Sequence, residues 1–150
     1  MMTTPRDFRM RKALLVSAMV FVLTPAFAAE PWRMCQAGER NGPQKRCLVD
    51  GDTIWIGGLD QSLRLKSFDT PEPATNICGG AAEVALAHQA SERMLQLLNE
   101  NEWTVEIFNT DRTGKRLEAT IRIGGVDVGD ILIAEGLARR WPDGDEWWCD

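Results

Sequence analysis

The chain predicts a small barrel or α+β domain. Two observations carry that expectation. Short runs with period-two alternation, closed by Gly, Pro or Asp, flank one long stretch with helical spacing, and a shorter helical pattern follows. The order of strands, helix, strands, helix lacks the strict β–α alternation of a doubly wound parallel sheet.

Taken in order, residues 1–28 read as an export signal. Arg6, Arg9, Arg11 and Lys12 precede an apolar run from Ala13 to Leu23, and Ala26-Phe27-Ala28 fits a small-x-small cleavage site. The run is too short to span a bilayer. Residues 29–150 then form one domain of 122 residues, with a periplasmic or secreted location and no stable membrane association after cleavage.

Lys45 to Ile56 reads as a strand pair bent at the acidic turn Asp50-Gly51-Asp52, with Leu48, Ile54 and Ile56 as its apolar positions. Gly57-Gly58 marks a turn. Ser62 to Phe68 alternates, placing Leu63, Leu65 and Ser67 on one face and Arg64, Lys66 and Phe68 on the other. Pro71 and Pro73 end this strand, because proline has no ladder donor and a fixed φ.

Ala81 to Asn99 predicts an amphipathic helix with an apolar stripe of Ala82, Leu86, Ala90, Met94, Leu97 and Leu98, leaving Glu83, Glu92 and Arg93 outside it. Trp103 to Phe108 alternates as a strand, Asp111 to Gly114 is a turn, and Leu117 to Ile123 returns. A second helix runs from Val128 to Glu135 and stops at Gly136.

Cys35, Cys47, Cys78 and Cys149 all follow the export signal, and an even count in an exported chain points to two disulfides. Three pairings are open. Cys35 with Cys47, closing a local loop, and Cys78 with Cys149, tying the tail to the body, are favoured, each adding about 3 kcal/mol. No CxxC pair occurs and His88 is the sole histidine, which argues against zinc. Loss of residues 1–28 removes four basic residues and Asp7, taking the formal charge from −5 to −8. A polyanionic partner would be repelled at long range, so its binding must depend on local cations or a metal.

The chemistry concentrates in RLKSFDTPE, Arg64 to Glu72, and in the Asp50-Gly51-Asp52 turn. If Asp52 and Asp69 end neighbouring strands, their hard oxygens suit Ca²⁺ or Mg²⁺, with the Thr70 carbonyl as a third ligand. Glu72, held between prolines, is placed to orient or deprotonate water, and Arg64 to clamp a phosphate with two parallel hydrogen bonds. Each residue also has a plain reading: the DGD turn alone is an ordinary Asx-rich turn, Arg64 alone a solvated strand residue, and Glu72 alone a loop charge.

Together these motifs resemble the staphylococcal nuclease (thermonuclease-like) family. The resemblance rests on VDGDT at Val49 to Thr53, RLKSFDTPE at Arg64 to Glu72, DRTGK at Asp111 to Lys115, and ILIAEGLA at Ile131 to Ala138. It implies an OB-fold, a five-stranded barrel packed by two to three helices. It further implies Ca²⁺-dependent hydrolysis of DNA or RNA phosphodiesters to 3′-phosphate ends; with the export signal of residues 1–28, the expectation is an exported endonuclease, acting as a monomer.

By that resemblance Asp52, Asp69 and Thr70 are the metal ligands and Asp50 a supporting acid. Arg64 becomes the phosphate clamp and Glu72 the general base. Lys115 stands where the family carries a second catalytic arginine. Arg116 follows, and in a regular strand it points to the opposite face, reaching the site only through a bulge or a shifted register. Lysine lacks the planar two-donor fork, and losing such a contact costs about 2 to 4 kcal/mol, or about 30- to 1,000-fold in rate.

The family's stacking tyrosines have no counterpart, since the chain contains no tyrosine; Trp141, Trp147 and Trp148 are the nearby aromatics. The last two are expected to pack around Cys149, with Asp143, Asp145 and Glu146 as a solvated tail. The alternative reading is a non-catalytic module on the same fold that binds nucleic acid or protein. A small disulfide-stabilised structural domain would explain the cysteines but not the Arg64 to Glu72 cluster.

Overall fold

Short apolar runs make short strands, and the architecture follows from how they pair. A computed structural model describes residues 30–74 and 77–149; the export signal expected over residues 1–28 lies outside the described residues. β1 (Arg46–Leu48) and β2 (Thr53–Ile56) form an antiparallel pair across the acidic turn, with Cys47 opposite Trp55. β2 pairs antiparallel with β3 (Leu63–Leu65). A second pair, β5 (Thr104–Thr110) and β6 (Leu117–Ile123), joins through the parallel contact of β3 with β6, with Arg64 opposite Glu118.

The resulting strand path is β1-β2-β3-β6-β5, with β7 (Val126–Asp127) added to β6. α1 (Gly80–Glu100) and α2 (Val128–Ala134) pack with it, and a single 3-10 turn spans Trp147–Cys149. The class is α+β, as expected, and the five-strand path fits an OB-fold. The barrel is not closed, because the ends of the path, β1 and β5, do not pair among the described residues.

Strand alternation fails at Ser67. Its φ of 73° lies in the left-handed region, so the chain turns there and the inside–outside phase slips by one. Phe68 is therefore buried with Leu63 and Leu65, contrary to the face expected for it. β4 (Phe68–Asp69) leaves the main sheet and pairs instead with β8 (Arg139–Arg140), Asp69 lying opposite Arg139.

The core joins Leu48, Ile54, Leu65, Phe68, Met94 and Leu132. α1 contributes through Ala87, Ala90, Met94, Leu97 and Leu98, as its spacing predicts from Ala90 onward. The first turns depart from the expected stripe: Ala82 is exposed, Leu86 only half-buried, and Glu83 buried in their place. The reason is local, since Glu83 accepts hydrogen bonds from backbone N–H groups before the helix.

α2 lies close over Phe68. A Cβ added at Gly129 would stand 2.2 Å from Phe68 Cδ1, so only glycine admits this approach. Asp127 caps the helix by accepting the Gly129 N–H at 2.8 Å. Both favoured disulfides are present, Cys35–Cys47 and Cys78–Cys149, each with Cα atoms 4.9 Å apart.

Candidate active site

The acidic turn is drawn against Thr70. Thr70 donates from its backbone N–H at 3.1 Å and from Oγ1 at 3.3 Å to Asp52 Oδ2. A Cβ on Gly51 would lie 2.7 Å from the Thr70 methyl, so the glycine of the DGD turn is a requirement of this contact. Asp50 closes the turn by accepting the Asp52 N–H at 3.1 Å. Asp52 itself is only 2% exposed.

Asp52 and Asp69 come together, but not from neighbouring strands. Asp52 precedes β2, whereas Asp69 ends β4 in the small second sheet, and Arg64 on β3 spans them. One guanidinium nitrogen of Arg64 is ion-paired with Asp52, the other with Asp69 Oδ1 at 2.6 Å. The second Asp69 oxygen accepts from Arg139 Nε at 3.0 Å. Arg139 is buried and also holds the Gly144 carbonyl and the Glu146 carboxylate. Glu146 is thus a fastened residue rather than part of a solvated tail.

Glu72 lies near enough to Asp50 and Asp69 for their charges to act on it. Burial pushes its carboxyl above the ordinary carboxylate range, and the charges of Asp50 and Asp69 push the same way, against Arg64. Burial also raises Asp50, with Arg64 opposing. Four carboxylates face Arg64 and a partly committed Arg139, so negative charge is in excess. An all-oxygen donor set with that excess fits a hard divalent cation such as Ca²⁺ better than a softer metal. The two sulfur-containing clusters, Cys35–Glu39–Cys47 and Cys78–Glu83–Cys149, do not fit one, because both cysteine pairs are disulfides.

Two small cavities flank this group. Asp69, Thr70, Glu72, Glu83, Arg139 and Trp141 are among the residues lining one of about 240 Å³. Arg64, Asp111, Arg116, Glu118 and Trp141 are among those lining the other, of about 230 Å³. Trp141, exposed at its rim, belongs to both. A larger cavity of about 590 Å³, lined by residues such as Trp103, Thr104 and Arg122, holds no comparable carboxylate cluster; volume does not mark the site.

The second cation is the main departure from expectation. Lys115 sits exposed in the Asp111–Arg116 turn, its N–H donating to Thr113 Oγ1, and is not among the residues lining the Arg64 cavity. Arg116 is. Arg116 lies in the bend just before β6, two residues ahead of Glu118, which pairs with Arg64, and the register shift of this hairpin falls in β5 between Ile107 and Thr110. Arg116 donates from Nε to Asp111 Oδ2 at 2.8 Å. Asp111 is held well below the usual carboxylate range, first by Thr113, whose Oγ1 donates to it at 2.6 Å, and then by Arg116.

Of the tail tryptophans, Trp148 is buried, while Trp147 is exposed yet meets Trp148 edge-on, ring centroids 5.4 Å apart. Sequence reasoning missed Glu83 and Arg139, and admitted Arg116 to the site only through a bulge or a shifted register. Only the RR pair before Trp141 hinted at Arg139, and nothing local marked which of its two arginines turns inward.

Residues 62–145, over half of the chain, match the family described as staphylococcal nuclease homologue. The match begins after the Asp50–Asp52 turn, which the structure joins to it through Thr70. No curated protein matches the chain.

Proposed function

Because the chain belongs to the staphylococcal nuclease homologue family, we propose that it is an exported, Ca²⁺-dependent endonuclease cleaving DNA or RNA to 3′-phosphate ends. The observation that carries this reading is the span of Arg64 between Asp52 and Asp69, with Glu72 on one side and Arg116 on the other. Arg64 thus joins the carboxylates proposed for a cation to the wall proposed for a phosphate.

Asp52, Asp69 and the Thr70 carbonyl would hold the Ca²⁺. Bound there, it supplies Lewis acidity and a template for a phosphate oxygen. Glu72 accepts the proton of the attacking water, and its raised affinity for protons suits that task. Arg64 exchanges a carboxylate partner for a phosphate oxygen, a charge-assisted hydrogen bond. Arg116 does the same from the far wall, taking the role expected of Lys115. Trp141, exposed between the two cavities, offers a face on which a loosened or single-stranded base stacks.

These local cations answer the net negative charge, −5 for the whole chain and −8 without residues 1–28, which disfavours long-range attraction of a polyanion. The protein acts as a monomer, in a periplasm or outside the cell. Digestion of DNA and RNA by the protein in millimolar Ca²⁺, against chelator, tests the reading. Cleavage that needs Ca²⁺ and disappears in Glu72→Gln is the expected result; binding without hydrolysis at high enzyme concentration would instead indicate a non-catalytic module.

A further inference from the structure

One buried acid takes no part in the chemistry above. Glu83 is 1% exposed, on the first turn of α1, and its two oxygens are fully engaged by backbone donors. Oε2 accepts the N–H groups of Cys78 and Gly79, each at 2.7 Å, and Oε1 accepts the N–H of Glu72 at 3.2 Å. Burial would raise its pKa, but the three amide donors outweigh that and hold it below the ordinary value, so it is a carboxylate at neutral pH.

Two of these bonds have a plain purpose. The helix N-cap is Gly79, which has no capping side chain, and an added Cβ there would lie 1.8 Å from the Trp148 carbonyl oxygen. No larger residue fits, so Glu83 satisfies the helix start instead. The third bond reaches across eleven residues to a segment outside the helix. Glu72 lies between Pro71 and Pro73, which have no N–H, so its amide is the only backbone donor of that tripeptide. Glu83 receives it.

We propose that Glu83 is a positioning residue for Glu72, fastening the Pro71–Pro73 segment so that the Glu72 carboxylate stands at the mouth of the cavity it shares with Asp69. This rests on the nuclease reading above. The tether converts a turn with one backbone donor into a defined platform, and misplacement of a catalytic group by about 1 Å costs on the order of 100-fold in rate.

Glutamine separates the two purposes of Glu83. It has one acceptor oxygen, which keeps the cap when turned to Cys78 and Gly79 and leaves an NH₂ donor facing the Glu72 N–H. Glu83→Gln and Glu83→Ala are compared with the unaltered chain by cleavage kinetics in Ca²⁺, thermal melting, and amide hydrogen exchange by NMR. In Glu83→Gln we expect kcat to fall about 10- to 100-fold with KM held within about twofold. Melting stays near that of the unaltered chain, and the Glu72 amide exchanges faster while Cys78 and Gly79 stay protected. Glu83→Ala loses kcat and melting temperature together.

An unchanged kcat in Glu83→Gln overturns the proposal, as does a loss matched by unfolding or by exposure of Cys78 and Gly79. A Glu72 amide that already exchanges freely in the unaltered chain removes the tether itself. Absence of any Ca²⁺-dependent cleavage by the unaltered chain defeats the nuclease reading, and with it the catalytic purpose of the tether, whereas normal cleavage with an indifferent Glu83→Gln defeats this inference alone.

Discussion

Arg116→Ala and Lys115→Ala should behave very differently, although the two residues are adjacent. Arg116 is 35% exposed, lines the cavity that holds Arg64, and is already oriented by Asp111. Removing a phosphate donor from a dry site costs about 2.7 to 4 kcal/mol. Partial exposure and the competing Asp111 carboxylate lower that here, and we expect about 1.4 to 2.7 kcal/mol, a 10- to 100-fold fall in kcat/KM at about 1.36 kcal/mol per decade.

Lys115 projects from an exposed turn and should cost less than about 1 kcal/mol, as exposed charges do. Asp111 keeps both Thr113 donors when Arg116 is truncated, so the melting temperature should move little. Steady-state cleavage of DNA in Ca²⁺ at low salt, with melting curves for each variant, makes the comparison. A loss in Lys115→Ala as large as in Arg116→Ala, or a marked gain in Lys115→Arg, would refute the placement of Arg116 as the second cation.

Gly129→Ala tests how the metal-side strand is held: the new methyl meets the Phe68 ring, and overpacking of this kind costs about 1 to 3 kcal/mol, so melting should fall by several degrees and cleavage with it because Asp69 adjoins Phe68. An unchanged melting temperature would show that α2 does not clamp β4. Asp111→Asn should lower stability at neutral pH, where the folded state favours the charged carboxylate; with the folded pKa depressed, that contribution is fully present above the ordinary 3.8 and is lost as pH falls through the folded value. Melting curves of the two forms should therefore converge only in strong acid, and a difference that stays constant down to that range would contradict the ion pair.

Much of the site was legible as composition within short segments. The turn at Asp50–Asp52 and the nearness of Arg64 to Asp52 and Asp69 follow from short motifs, although Asp69 ends a strand of the second sheet rather than one beside Asp52. The fastening of that site was not legible. Glu83 looked like a solvated helix position because its partners, Glu72, Cys78 and Gly79, are donors outside the helix. Phe68 looked outward because alternation counts residues, while the positive φ at Ser67 adds a turn that no apolar pattern reports.

The sequence by itself determined the class of fold, the presence of four cysteines suited to two disulfides and the motifs of the candidate site, because periodicity, composition and turn residues act through near neighbours in the chain. Only the tertiary structure decided which arginine faces the cavity, which strand carries Asp69, and what holds Glu72. Those depend on registers between β3 and β6 and between β4 and β8, where one residue of slip turns a side chain to the opposite face. Of the two adjacent cations, Arg116 and not Lys115 lines the cavity that holds Arg64.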